Sequence, residues 1–211
     1  METKTRTLEM WSGEFGELYT KRNNLTLSDI DDIHRDNVGI SRTELNKEFV
    51  FDLDRSCTIL EVGSNVGSQL CFLENEGFCN LFGIEINEYA LKECRKDHPR
   101  INCVYGSALD IPFKDGFFDL VFTSGVLIHI DPRDLDQAMR EICRCSNKYV
   151  WGYEYFSDQC EEVSYRRCDS LLWRNDYAAK YIERCGLKLL KQRKLKHTDE
   201  DLTDTMFLLE K

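Results

Sequence analysis

Proline is scarce in this chain, three in 211 residues, which argues against modules strung on proline-rich linkers. No run of about 18 apolar residues occurs, so no membrane-spanning helix is expected. The first ten residues, METKTRTLEM, lack the apolar stretch of a signal peptide. No Cys-x-x-Cys is present, and none of the four histidines (His34, His98, His129, His197) stands at zinc-ligand spacing from a cysteine pair, so no metal is expected. Positive charge is in deficit: 28 Lys and Arg face 38 Asp and Glu, a formal net charge of −10. That balance excludes a protein whose task is to grip nucleic-acid phosphates. The single basic stretch, Lys188 to Lys196, alternates with Leu189, Leu190 and Leu195 and reads as a strand with a solvated face. Cysteine, by contrast, is plentiful at ten, but scattered through apolar segments. With no export signal, these read as reduced thiols of a cytoplasmic protein, mostly serving as small core residues.

Hydrophobic residues make up 42% of the chain, enough for a sizeable core at this length. From Cys57 onward, short β-branched runs alternate with amphipathic stretches. Strands are expected at 57–62, 80–86, 101–106, 118–124, 148–155, 187–196 and 205–209, and helices at 66–75, 88–97, 133–145 and 176–185. Such alternation predicts an α/β fold, a seven-stranded and mostly parallel sheet covered by helices on both faces. The last two strands are joined by HTDEDLTD, which suits a hairpin but is short for a helical crossover, so the final strand is expected to be antiparallel. Residues 1–50 are helical in pattern and predict a lid over the strand ends. The expected organisation is one domain, 1–211, with this lid and an α/β core over 57–211.

Ligands of open α/β sheets sit beyond the carboxyl ends of the strands. The sharpest motif there is Glu61-Val62-Gly63-Ser64-Asn65-Val66-Gly67-Ser68. Its glycines permit a tight turn and close backbone approach. No Lys-Ser or Lys-Thr follows the last glycine, which excludes a Walker A loop. Asn65 and Ser68 replace two glycines of the dinucleotide fingerprint, so a bulky pyrophosphate fits poorly and an uncharged or zwitterionic group fits better. Glu85 ends the second strand and can accept from both hydroxyls of an adenosine ribose, with Ile86 covering the base. Taken alone Glu85 could also cap the following helix; its distance from the glycine loop favours the ribose. Gly106-Ser107-Ala108-Leu109-Asp110-Ile111-Pro112-Phe113 follows the third strand, and Phe117-Phe118-Asp119-Leu120-Val121 opens the fourth.

These four blocks, in this order, resemble the class I S-adenosylmethionine-dependent methyltransferases over about residues 57–156. The resemblance implies S-adenosyl-L-methionine as cofactor, its methionine part on the first loop, its ribose on Glu85 and its adenine on Ser107, Ala108 and Leu109. Ser107 stands where the family usually carries an acid, and a hydroxyl accepts less strongly than a carboxylate. The flanking segments narrow this. Trp11 to Asn23, Gly125 to Pro132, Tyr153-Glu154-Tyr155, Tyr165-Arg166-Arg167 and Leu172 to Tyr177 look like the methyltransferases associated with pseudaminic acid biosynthesis, which implies a sugar or glycan acceptor.

Each role then falls on a named residue. His129, past the fourth strand, suits a general base for a sugar hydroxyl, and Glu154 could share or replace it. Cofactor contacts are expected from Tyr19, Arg22, Glu61, Gly63, Ser64, Asn65, Gly67, Glu85, Ile86, Ser107, Ala108, Leu109 and Ser124. Within that set Tyr19 and Arg22 would close over the cofactor, with Arg22 pairing with its carboxylate. Trp11 and Phe15, spaced i, i+4, are expected to seat the lid. Tyr155, Tyr165, Arg166 and Arg167 would hold the acceptor. The expected function is O-methylation of a sugar; methylation of a small non-sugar metabolite, or a degenerate cofactor-binding protein, are the alternatives.

Overall fold

The computed structural model describes residues 6–198 and 201–211. The first five residues of the expected lid and residues 199–200 of the expected hairpin connection lie outside the described residues. Four helices open the chain: α1 (Arg6–Ser12), α2 (Glu14–Arg22), α3 (Leu27–Val38) and α4 (Arg42–Val50). Thr26 and Ser41 start α3 and α4 with reciprocal capping boxes to Asp29 and Glu44. The alternating part follows as β1 (Thr58–Val62), α5 (Ser68–Asn75), β2 (Asn80–Glu85), α6 (Glu88–Asp97), β3 (Asn102–Tyr105), β4 (Phe118–Ser124), α7 (Pro132–Cys145) and β5 (Ser146–Tyr155). A two-stranded ladder, β6 (Glu161–Glu162) with β7 (Trp173–Arg174), interrupts the series before α8 (Tyr177–Cys185), β8 (Lys188–Lys196) and β9 (Thr203–Glu210).

The main sheet has seven strands in the order β3-β2-β1-β4-β5-β9-β8. β9 is inserted between β5 and β8 and runs antiparallel to both; the other pairs are parallel. Each face carries its own apolar core. Leu60 and Val62 join Val121, Ile142 and Phe207 on one side, while Ile59 joins Leu120, Phe122 and Trp151 on the other, as the period-2 alternation of a strand buried on both faces requires. β8 is the outer edge, and its lysines leave it mostly exposed, a charged margin that discourages pairing with another sheet.

One helix begins later than its periodicity predicts. α5 starts at Ser68 rather than Val66, because Gly67 adopts a left-handed conformation (φ 86°) and holds the preceding loop out of the helix. The chain leaves β1 for β2 and β3 on one side and returns to β4 on the other. That reversal opens a crevice beyond Val62 and Ser124.

Candidate active site

A cavity of about 360 Å³ occupies this crevice, roofed by α1 and α2. Its floor is the turn between β1 and α5. Gly63 (φ 74°) and Asn65 (φ 47°) are both left-handed, and a Cβ at Gly63 would stand 2.7 Å from the Val126 side chain. The Gly63 and Ser64 amides donate to the Ile84 carbonyl, each at 2.9 Å, which ties the loop to the end of β2. Glu85 completes the tie: Oε2 accepts from the Asn65 amide and Oε1 from the Ile86 and Asn87 amides, all at 2.8 Å. Burial pushes its proton affinity up while these three amides oppose the shift. A carboxylate has about four acceptor positions. Three are filled, so Glu85 is a clamp on the glycine loop with room for one further donor, where the sequence suggested two ribose hydroxyls.

Several cavity residues carry buried polar atoms with no hydrogen-bond partner among the described residues: Trp11 Nε1, Glu61 Oε2, Asn65 Oδ1, Gln69 Oε1 and Asp134 Oδ2. Unpaired buried groups are costly in a closed protein, and their gathering around one cavity suits a polar ligand. Glu61 is 2% exposed, and burial raises its proton affinity far above that of an ordinary carboxyl. The described wall contains no Lys or Arg.

Of the expected cofactor contacts, Tyr19, Glu61, Gly63, Ser64, Asn65, Glu85, Ile86, Ser107, Ala108, Leu109 and Ser124 line the cavity. Gly67 lies behind the loop, where a Cβ would meet Cys94 Sγ at 2.9 Å; its role is to shape the turn. Arg22 is exposed on α2 and off the wall. A different cation, Arg42 of α4, is buried behind Ser124, donating from Nη2 to its Oγ (3.1 Å) and stacking on the Tyr153 ring (4.0 Å). Tyr19, half-buried on α2 over the cavity, has its phenol pushed up to about 12 by desolvation, so it stays a neutral donor.

His129 lines the cavity in the short 3₁₀ turn Leu127–His129. Its Nδ1 meets the Leu171 carbonyl at 2.6 Å, and since a carbonyl only accepts, Nδ1 carries the proton and Nε2 the lone pair. Desolvation lowers its pKa to about 4, so the ring is neutral at physiological pH. Trp11 packs against it with ring centroids 4.4 Å apart, and Tyr165 at 5.2 Å. Glu154, the other expected base, does not reach the cavity. It is fully buried, and its oxygens accept from the Val126 (3.2 Å) and Ile128 (3.3 Å) amides, so it sets the turn that presents His129. Burial pushes it up to about 7. Tyr155, Tyr165, Arg166 and Arg167 lie outside the wall; Arg166 (φ 53°) and Arg167 (φ 64°) are exposed in left-handed conformations.

The lid is also arranged differently from its sequence spacing. Gly13 breaks the helix, so Trp11 lies in the last turn of α1 and Phe15 in the first turn of α2, and the two rings meet edge-on at 5.2 Å. Trp11 is thereby turned onto His129 and the cavity. Asn87 Nδ2 donates to the Trp11 and Gly13 carbonyls, both at 3.0 Å, pinning this corner to the start of α6. Trp11 is expected from the sequence only to seat the lid, and Asn87 and Asp134 carry no sequence signal, because the placement of all three depends on how the lid and α7 meet the sheet.

Residues 60–148 match the family model described as methyltransferase domain. The solved 1,6-didemethyltoxoflavin-N1-methyltransferase of Burkholderia thailandensis, bound to 1,6-didemethyltoxoflavin and S-adenosylhomocysteine, superposes with a TM-score of 0.68 at 12% identity, covering 94% of this chain and 89% of that one. The fold is that of the class I methyltransferases. Among curated proteins, 24-methylenesterol C-methyltransferase 2 of Oryza sativa subsp. japonica is 28% identical over 173 residues, 71% of this chain and 47% of that protein. Sterol 24-C-methyltransferase erg6 of Schizosaccharomyces pombe is 24% identical over 194 residues, 79% of this chain and 48% of its own length. The chain thus spans about half the length of the curated relatives it matches. Among the described residues no helix is long and apolar enough to cross a membrane, and no cluster of side chains is suited to a metal.

Proposed function

We propose that this chain is an S-adenosylmethionine-dependent methyltransferase whose acceptor is a neutral hydroxyl, that of a sugar in the reading its flanking motifs support. The observation that carries the proposal is the roofed cavity, lined both by unpaired polar atoms and by His129, whose Nε2 is free. The cofactor, when bound, supplies an electrophilic methyl group on a sulfonium. Glu61 and Gln69 offer acceptors for its ammonium group. Glu85 offers its remaining acceptor position to the ribose, and Ile86 an apolar face to the base. His129 accepts the acceptor's proton at Nε2 as the new bond forms. Trp11 and Tyr19 close the roof and exclude water from the reacting groups.

The acceptor site lies toward Tyr155 and Tyr165. Because the described residues of the wall include no Lys or Arg, a phosphate on the acceptor would have to remain outside, at Arg166 and Arg167, while the sugar enters. A second reading, methylation at carbon, is favoured by the two sterol C-methyltransferase relatives. Mass spectrometry with isotopically labelled methyl donor separates the two. Free sugars, nucleotide sugars, glycans and sterols are the panel; label on a sugar oxygen is the expected result, and label on a sterol carbon would replace it.

A further inference from the structure

The helix α7 faces the segment that follows β3 with a stripe of three polar residues. Glu141 Oε2 accepts from the Ile111 amide (2.9 Å), and one turn earlier Gln137 Nε2 donates to the Leu109 carbonyl (2.8 Å). Asp134 comes next on the same stripe, three residues before Gln137. It lines the cavity, as Leu109 and Ile130 also do, and its buried Oδ2 accepts no hydrogen bond among the described residues. The ladder that ties α7 to this segment therefore ends in a carboxylate oxygen still lacking its donor.

A nucleoside held at Glu85 has two directions open to its base. Toward β1 and β4 the cavity is lined by the glycine loop, Ser124 and His129, the side assigned above to the methionine part and the acceptor. Toward β3, the next strand beyond β2, stand Ile86, Ala108 and Leu109, an apolar slot for a flat ring. Ser107 is committed to its own turn, its Oγ accepting from the Leu109 amide at 3.2 Å. We infer that Asp134 reads the base of the cofactor, accepting the exocyclic amino group of adenine. This rests on the methyl-donor reading above and assigns to α7 a contact that the segment after β3, with a serine after its glycine, does not supply. An amino group satisfies the carboxylate; a carbonyl at the same ring position would set oxygen against oxygen, so the site selects adenosine over inosine.

Calorimetric titration tests this with two probes, S-adenosylhomocysteine and its deaminated counterpart S-inosylhomocysteine, on the full chain and on Asp134→Asn and Asp134→Ala variants with unchanged circular dichroism. The wild type should prefer the adenosine form by about 10-fold or more, the scale of a charge-assisted hydrogen bond. In Asp134→Asn, whose amide can donate to a carbonyl, that preference should fall at least about 10-fold or reverse. In Asp134→Ala it should fall without reversing. A wild type that binds both probes equally, or an Asp134→Asn variant that keeps the full preference, overturns the assignment while leaving the methyl-donor reading intact. Loss of turnover in Asp134→Ala with an unaltered probe ratio overturns it too and moves Asp134 to the acceptor. A folded wild type that binds neither probe overturns the methyl-donor reading itself.

Discussion

The chemistry at the residue scale turns on which nitrogen of His129 is free. The Leu171 carbonyl holds Nδ1–H, so Nε2 carries the lone pair that the proposed base requires, and burial favours the neutral ring down to a pKa of about 4. Replacing His129 with Asn should lower the methylation rate by ~10²-fold or more while leaving S-adenosylhomocysteine affinity nearly unchanged, since the proton comes from the acceptor. The pH profile assigns the role. The neutral ring is the active form, so activity governed by His129 should fall only as pH drops toward 4. An acid limb near pH 7 that disappears in Glu154→Gln would instead show that ionised Glu154, holding the Val126 and Ile128 amides, limits the reaction through the turn. The sequence located His129 from its position after a strand, but not its depressed pKa, which comes from burial beneath Trp11 and outweighs the opposing pull of a carbonyl 42 residues away. Arg22 was chosen for its charge and its spacing from Tyr19; α2 turns it to solvent, and the buried cation near the site is Arg42, on a helix whose packing no local pattern reveals.

Among the elements, the strands were the most legible, because segments buried on both faces are continuous apolar runs bounded by turn residues. The glycine loop was legible for the same local reason: Gly63 and Gly67 are where the backbone must turn left-handed. The lid was legible only as helix. Its corner depends on Gly16 of α2, where an added Cβ would lie 2.0 Å from the Trp11 carbonyl oxygen and 2.7 Å from Asn87 Nδ2. Neither is the end of a flexible side chain free to move, since the Asn87 amide is held between the Trp11 and Gly13 carbonyls. Gly16→Ala should therefore displace α1 from α6 and take Trp11 off His129. The expected result is at least a 10-fold weaker S-adenosylhomocysteine affinity in calorimetry, with the circular dichroism of the α/β core retained. Equal affinity in the variant would mean that the roof takes no part in holding the ligand.

At the scale of the whole molecule, ligand binding and stability should be one phenomenon. The cavity wall is assembled from α1 and α2, from the turns after β1, β2, β3 and β4, and from α7, so parts far apart in sequence meet only there. Buried polar atoms on that wall have no partner among the described residues, and the unfolded chain has no such wall. A ligand that binds only the folded state stabilises it by RT ln(1 + [L]/Kd), about 2.7 kcal/mol when its concentration is a hundred times Kd. For a chain of this length each kcal/mol raises the thermal midpoint by roughly 2–4 °C. S-adenosylhomocysteine at that excess should thus raise the midpoint by roughly 5–10 °C in scanning calorimetry, and adenosine at the same concentration, which leaves the Glu61 and Gln69 end empty and so binds more weakly, by less. With Gly16→Ala the shift at the same ligand concentration should shrink in step with the lost affinity. A midpoint that does not move at saturating ligand would separate this cavity from cofactor binding altogether.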